Sequence, residues 1–202
     1  MGVLAIGVLV AGAAWGVMRI LDTPALEPAR YAPSDGVRAQ QKILDLARRR
    51  SRSGGVVLTE AELNAFVSRH LEPADLPLRD PMIRLRGDDV VEVAGTLPLA
   101  RLLHESPLGS LADALPAGWL ARPVWLTVLA RTTLVMEPRR VLRLDPQRVT
   151  IGRQRVPAIV LRLVLDPSSL RFTRIGLPTD VHAVRVEPGR VLIEVASPPS
   201  RT

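Results

Sequence analysis

The sequence predicts an α+β domain in which a strongly curved antiparallel sheet wraps around helices, preceded by one N-terminal transmembrane helix. Three observations predict it. Residues 1–18, MGVLAIGVLVAGAAWGVM, carry no charged side chain. Apolar positions recur with helical spacing between residues 36 and 71, and the period changes to two from Ile83 onward. A later run, VPAIVLRLVL, is apolar on every side except at Arg162. Such a run must be enclosed, and long alternating strands with their apolar faces inward are the cover available.

At ~1.5 Å per residue the uncharged N-terminal segment reaches ~27 Å, close to a hydrocarbon core. Ile20 and Leu21 extend it, Arg19 can snorkel, and Trp15 sits near one end as an interfacial aromatic would. Residues 1–21 are therefore read as a single-span anchor. The competing reading is a signal peptide cut after Ala13 or Ala14, which the missing basic leader disfavours. Arg19 and Arg30 follow the span and no basic residue precedes it, which by the positive-inside rule places the domain in the cytoplasm. Large domains translocate largely regardless of charge, and we take this one as exported: a single-pass protein of the bacterial cytoplasmic membrane with its domain outside. Gly12 and Gly16 have the spacing of close helix pairing, weak evidence in so small-residue-rich a span.

Residues 22–35 form a Pro- and Ala-rich tether, and residues 36–202 the domain. With 47% hydrophobic content, 202 residues suffice for one sizeable core. Cysteine is absent, which excludes disulfides, thiol catalysis and thiolate metal sites. The net charge of +7 is carried by arginine, Lys42 being the only lysine. A GC-rich genome explains that bias, and the excess itself favours anionic partners without choosing between phospholipid headgroups and nucleic acid.

The domain opens with a helix over 36–50, capped by Ser34 or Asp35, with Val37, Ile43, Leu44 and Ala47 on its buried side. It runs into Arg48, Arg49, Arg50 and Arg52 before Gly54 and Gly55 break it. These arginines are a solvated helix end or a contact for anionic headgroups, with nucleic acid a remoter choice. In VVLTEAELNAFVSRHL, Thr59 and Glu62 form a capping box and Leu58 with Leu63 a hydrophobic staple, so a helix starts at Glu60. Leu63, Phe66, Val67 and Leu71 mark its buried face, and His70 lies at the boundary.

Strands at 82–86 and 90–94 flank Gly87-Asp88-Asp89 as a hairpin. Residues 98–121 read as broken helix around Pro107 and Pro116. Residues 123–137 are the longest strand, with Val124, Leu126, Val128 and Ala130 alternating against Trp125, Thr127, Leu129 and Arg131. Further strands are expected at 140–144, 148–151, 171–175, 183–186 and 191–195, the last two joined by Glu187-Pro188-Gly189-Arg190. Pro157 suits the start of a helix over 158–165, although Ile159, Val160 and Val164 fit a strand as well.

The order of TEAELNAFVSRHL, a hairpin, VTIGRQRVPAIVLRLVL and RFTRIGLPTDVHAVRVEPGRVLIEV resembles the membrane-anchored bacterial branch, of the YpmS and LmeA kind, of the tubular lipid-binding (TULIP-like) superfamily. It spans roughly residues 56–196, and the segment 98–121 departs from the family pattern. The resemblance implies a sheet rolled around helices that leaves an elongated apolar groove for lipid acyl chains. Candidate groove residues are Leu63, Phe66, Val67, Trp125, Ile159, Val160, Leu163 and Val164. It implies no catalytic residue.

No hydrolase, nucleotide or metalloprotease motif occurs, and three scattered histidines give no ligand spacing, so no metal, cofactor or enzymatic reaction is expected. Asp88-Asp89 is a turn before it is a cation site. Two functions remain: a binding module whose partner is phospholipid or another membrane lipid, or a ligand-free structural scaffold or assembly component of the envelope. Nucleic acid is not an expected partner, since the chain holds only three Trp, one Tyr and two Phe for base stacking.

Overall fold

The computed structural model describes residues 22, 30–48, 55–70, 78–104, 116–136, 140–156 and 174–196. The expected anchor (1–21), residues 23–29 of the tether and the segment 157–173 lie outside them, as do Leu71, Arg49, Arg50 and Arg52. Among the described residues no helix is long and apolar enough to cross a membrane. The fold is α+β, and among the described residues every strand pair is antiparallel and no barrel closes.

Helix α1, Pro33–Ala47, begins earlier than expected. Pro33 takes the first position, where its fixed φ is already helical and its missing N–H is no loss. Ala32 is the N-cap, and its N–H donates to the Asp35 carboxylate at 2.7 Å, so Asp35 serves from inside the first turn. The buried side also differs. Gly36, Ala39 and Leu46 are buried while Val37, Leu44 and Ala47 are exposed. The cause is a close approach: a Cβ on Gly36 would stand 3.3 Å from the carbonyl oxygen of Ala65, so small residues rather than large ones select the face.

Strand β1 (Val56–Thr59) leads directly into α2 (Glu60–His70). The capping box is present as expected: the Glu62 N–H donates to Thr59 Oγ1 at 3.2 Å, and the Thr59 N–H donates to Glu62 Oε2 at 2.9 Å. Strands β2 (Arg79–Gly87) and β3 (Val90–Pro98) form the expected hairpin, followed by the short helices α3 (Leu99–His104) and α4 (Ala117–Leu120). Strand β4 covers Pro123–Val135. The two strands expected next are one, β5 (Val141–Ile151), because a bulge at Gln147 lets the ladder continue past Pro146. Strands β6 (Gln154–Val156), β7 (Arg174–Gly176), β8 (Val181–Glu187) and β9 (Arg190–Val195) complete the fold.

Instead of one sheet there are two. The small sheet has the order β1-β9-β8, and the large one β2-β3-β4-β5-β6 with β7 also on β5. The core has three parts. One packs α1, β1 and the small sheet around Ala39, Leu46, Leu58, Val181 and Ile193. A second lies under α3 around Leu97, Leu99 and Val124. In the third, Val186 of the small sheet meets Leu85 and Val91 of the large one.

Candidate functional site

The large sheet has two unlike faces because its strands alternate with period two. Directly opposed residues share a face, so Val124, Leu126, Val128, Ala130, Thr132 and Leu134 of β4 lie with Val149, Leu144 and Leu142 of β5. The row Leu134, Leu142, Ile175 carries this surface onto β7. Val124, Ala130 and Val149 are fully buried. Leu126, Val128, Leu134, Leu142 and Leu144 are only half-buried, and Ile175 is 47% exposed. The result is a mainly apolar face ten residue steps long on β4, ~33 Å at ~3.3 Å per residue, buried at Val124, Ala130 and Thr132 and half-buried between and beyond them.

The opposite face is basic and mixed. Arg86, Glu92, Thr127, Leu129, Arg131, Arg148 and Thr150 line a shallow depression of about 530 Å3. Arg86 pairs with Glu92 through both Nε and Nη2, and Glu92 is buried. Arg131 and Arg148 are exposed.

Where the large sheet ends at β2, a polar seam joins it to α2 and the small sheet. Four backbone groups on the outer edge of β2 are answered in turn. Asn64 Oδ1 accepts from the Ile83 N–H at 2.7 Å, and Asn64 Nδ2 donates to the carbonyl oxygens of Ile83 (2.7 Å) and Glu60 (2.8 Å). The Leu85 N–H donates to Glu60 Oε2 at 2.7 Å, and the Leu85 carbonyl accepts from the Gly189 N–H at 3.1 Å. Asn64 is 1% exposed, so its amide acts as a short piece of strand inside the protein. One turn away, Asp88 and Asp89 both adopt positive φ, as a two-residue hairpin turn requires. Asp89 Oδ1 accepts from the Val186 N–H at 2.9 Å, and its carbonyl accepts from the Thr132 N–H at 2.7 Å, so the turn is a joint between the sheets.

The seam continues into an ion pair. Lys42 Nζ donates to both oxygens of Glu62, at 2.7 and 2.9 Å, and to the Val57 carbonyl at 2.8 Å. Burial pushes the Glu62 carboxyl up. The Lys42 ammonium and the Thr59 backbone and hydroxyl groups outweigh it and hold the carboxyl below its ordinary value.

The expected site residues fall in different places. Leu63 and Phe66 pack against the core of α1, β1 and the small sheet, with Val67 half-buried on the same helix. The deepest side chains of α2 are Glu62, Asn64 and Ala65. Trp125 stands opposite Thr96 on the mixed face of the large sheet, turned away from the apolar strip. Arg48 is the exposed C-cap of α1; Arg49, Arg50 and Arg52, like Ile159, Val160, Leu163 and Val164, lie outside the described residues. Sequence reasoning missed the seam residues Glu60, Asn64 and Asp89. Asn64 in a helix interior, directly before the apolar Ala65-Phe66-Val67, was the one signal, since such a side chain is kept where backbone needs a partner.

Chemically, the arrangement offers apolar contact on one face and cationic contact on the other. Among the described residues no cluster of three His, Asp or Glu side chains is placed to hold a metal ion. The protein thus belongs to the α+β class with two antiparallel sheets. No family model, curated protein or solved structure matches the chain.

Proposed function

We propose that the protein is a membrane-anchored envelope protein that holds or passes lipid acyl chains, with residues 1–21 in the bacterial cytoplasmic membrane and the domain on its outer side. The observation that supports this best is the half-open apolar strip from Val124 to Leu134 and across Leu142 to Ile175. Apolar burial supplies ~0.8 kcal/mol per methylene, so a chain of a dozen carbons is retained along such a surface without a specific polar contact. In this reading the two sheets together form the curved wrapper that the superfamily resemblance implies. The lipid needs no cofactor and undergoes no reaction.

The test uses the full chain in vesicles doped with a phospholipid that carries a photoreactive group on its acyl chain. Crosslinks at Leu126, Val128 and Ile151, in addition to those in residues 1–21, are the expected result. Crosslinks confined to residues 1–21 would replace this function with the ligand-free envelope scaffold.

A further inference from the structure

Among the described residues, the far corner of the large sheet, where β4, β5 and β7 end together, is apolar on both of its faces. On one face Leu134, Leu142 and Ile175 form a row across the three strands; on the other, Val135 stands opposite Val141, next to Gly176. Met136 follows at the end of β4. Val135 is 38% exposed, and Met136 and Ile175 are each 47% exposed. Two residue steps behind, on the Val135 face, lies the row Thr133, Arg143, Arg174. Arg143 Nε is 2.6 Å from Asp145 Oδ1, and both arginines are exposed.

A solvated strand end is expected to be polar on at least one face, and a protein partner that docks flat on a sheet covers one face only. A bilayer solvates both. The arginine row stands three residue steps behind Met136, ~10 Å at ~3.3 Å per residue. Interfacial elements sink about 5–10 Å below the headgroup boundary, so Arg143 and Arg174 arrive at the level of lipid phosphate when Met136 is immersed. The corner is also firmly carried: the Leu177 N–H donates to the Arg140 carbonyl at 2.9 Å, and Arg140 Nη1 donates to the Val181 carbonyl, which fixes this end of the large sheet to the small one.

Resting on the membrane attachment proposed above but not on acyl-chain retention, we infer that this corner is a second membrane contact: Val135, Met136 and Ile175 insert into the interface of an anionic bilayer, and Arg143 and Arg174 pair with its phosphates. The domain is then held at two points, by its anchor and by this corner.

Because the chain contains no cysteine, single-cysteine variants label cleanly. Met136→Cys, Ile175→Cys and, as a reference on the small sheet, Val57→Cys (41% exposed) are each coupled to an environment-sensitive fluorophore in the full chain. They are reconstituted into phosphatidylcholine vesicles, with and without phosphatidylglycerol, whose acyl chains carry nitroxide quenchers. The probes at 136 and 175 are expected to be quenched severalfold more than the probe at 57. Adding Arg143→Gln and Arg174→Gln is expected to weaken binding of the corner to the anionic vesicles by about fivefold per arginine, and by little without the anionic lipid. Quenching at 136 no stronger than at 57, or a chain that does not float with vesicles, overturns the inference. A probe shift that follows protein concentration rather than quencher content overturns it in favour of a second copy of the chain. Lipid crosslinks at residues 134–136 and 175 alone would sustain the corner while removing the proposed acyl-chain strip.

Discussion

At β2 the large sheet ends in backbone groups that side chains of α2 and the β8–β9 turn answer one by one; at the corner of β4, β5 and β7 it ends in apolar side chains that remain open to solvent. The first edge buries polarity and satisfies it. The second exposes apolar surface and leaves it. An unanswered edge at β2 would be a template for pairing with another chain, and burying it without partners would cost about 1–3 kcal/mol for each group. The corner carries no such cost of burial, and exposed apolar area of this kind is kept where something else comes to cover it. The answered edge therefore serves stability, and the open corner is where the contact proposed above would form.

The contrast breaks most readily at Asn64. Asn64→Leu removes the partners of the Ile83 N–H and of the Ile83 and Glu60 carbonyls in a site that is 1% exposed. A loss of about 3 kcal/mol is expected in thermal or urea unfolding, since water reaches some of the freed groups and not all. A loss below ~0.5 kcal/mol would make the seam ornamental.

Lys42→Met is expected to cost less, about 2 kcal/mol. Breaking a buried pair costs ~3–5 kcal/mol, but the Lys42 side chain is 36% exposed and the Thr59 N–H still holds the Glu62 carboxylate. The pH dependence has a definite sign. The Glu62 carboxyl lies below its ordinary 4.5 in the folded protein, so its contribution is complete above that pH and is lost as pH falls through the lower folded value. The deficit of Lys42→Met against the parent should accordingly be greatest above pH 4.5 and shrink in acid as Glu62 is protonated in both. A deficit independent of pH would assign the effect to packing of the lysine stem.

Least affected should be Met136→Ser and Ile175→Ser at the corner. With both side chains 47% exposed, unfolding is expected to stay within ~0.5 kcal/mol of the parent. A loss comparable to that at Asn64 would mean that the corner is packed core, and the difference between the two ends would disappear.

The same difference sets what the sequence reveals. The Thr59–Glu62 box, the Asp88-Asp89 turn and the length of β4 are local signals, and each is found where expected. The buried face of α2 was legible only in part. Leu63, Phe66 and Val67 have the right spacing, yet the deepest residues are Glu62 and Asn64, whose partners Lys42 and Ile83 are distant in sequence. On α1, hydrophobicity pointed to Val37 and Leu44, whereas close approach to α2 chose Gly36 and Ala39. The gap left between the strands expected at 140–144 and 148–151 contains Pro146. In the structure it sits at the bulge, between the stretch of β5 paired to β6 and that paired to β7, where its missing N–H costs no ladder bond. Trp125 was grouped with the apolar candidates by residue type, and its parity along β4 sends it to the opposite face.

Strand β1 takes its place beside β9, with Val56 opposite Ile193. At ~5–20 residues per second, the roughly 140 residues between them require about 7–30 s of synthesis. Throughout that interval the first strand waits without its neighbour, and the small sheet cannot close until the C-terminal end of the chain emerges. Pairing over so long a sequence separation also slows folding, because the loop must be ordered before its contacts repay the entropy lost. The small sheet thus stays unfinished through most of the synthesis of this domain, with the β8–β9 hairpin acting as the latch that completes it.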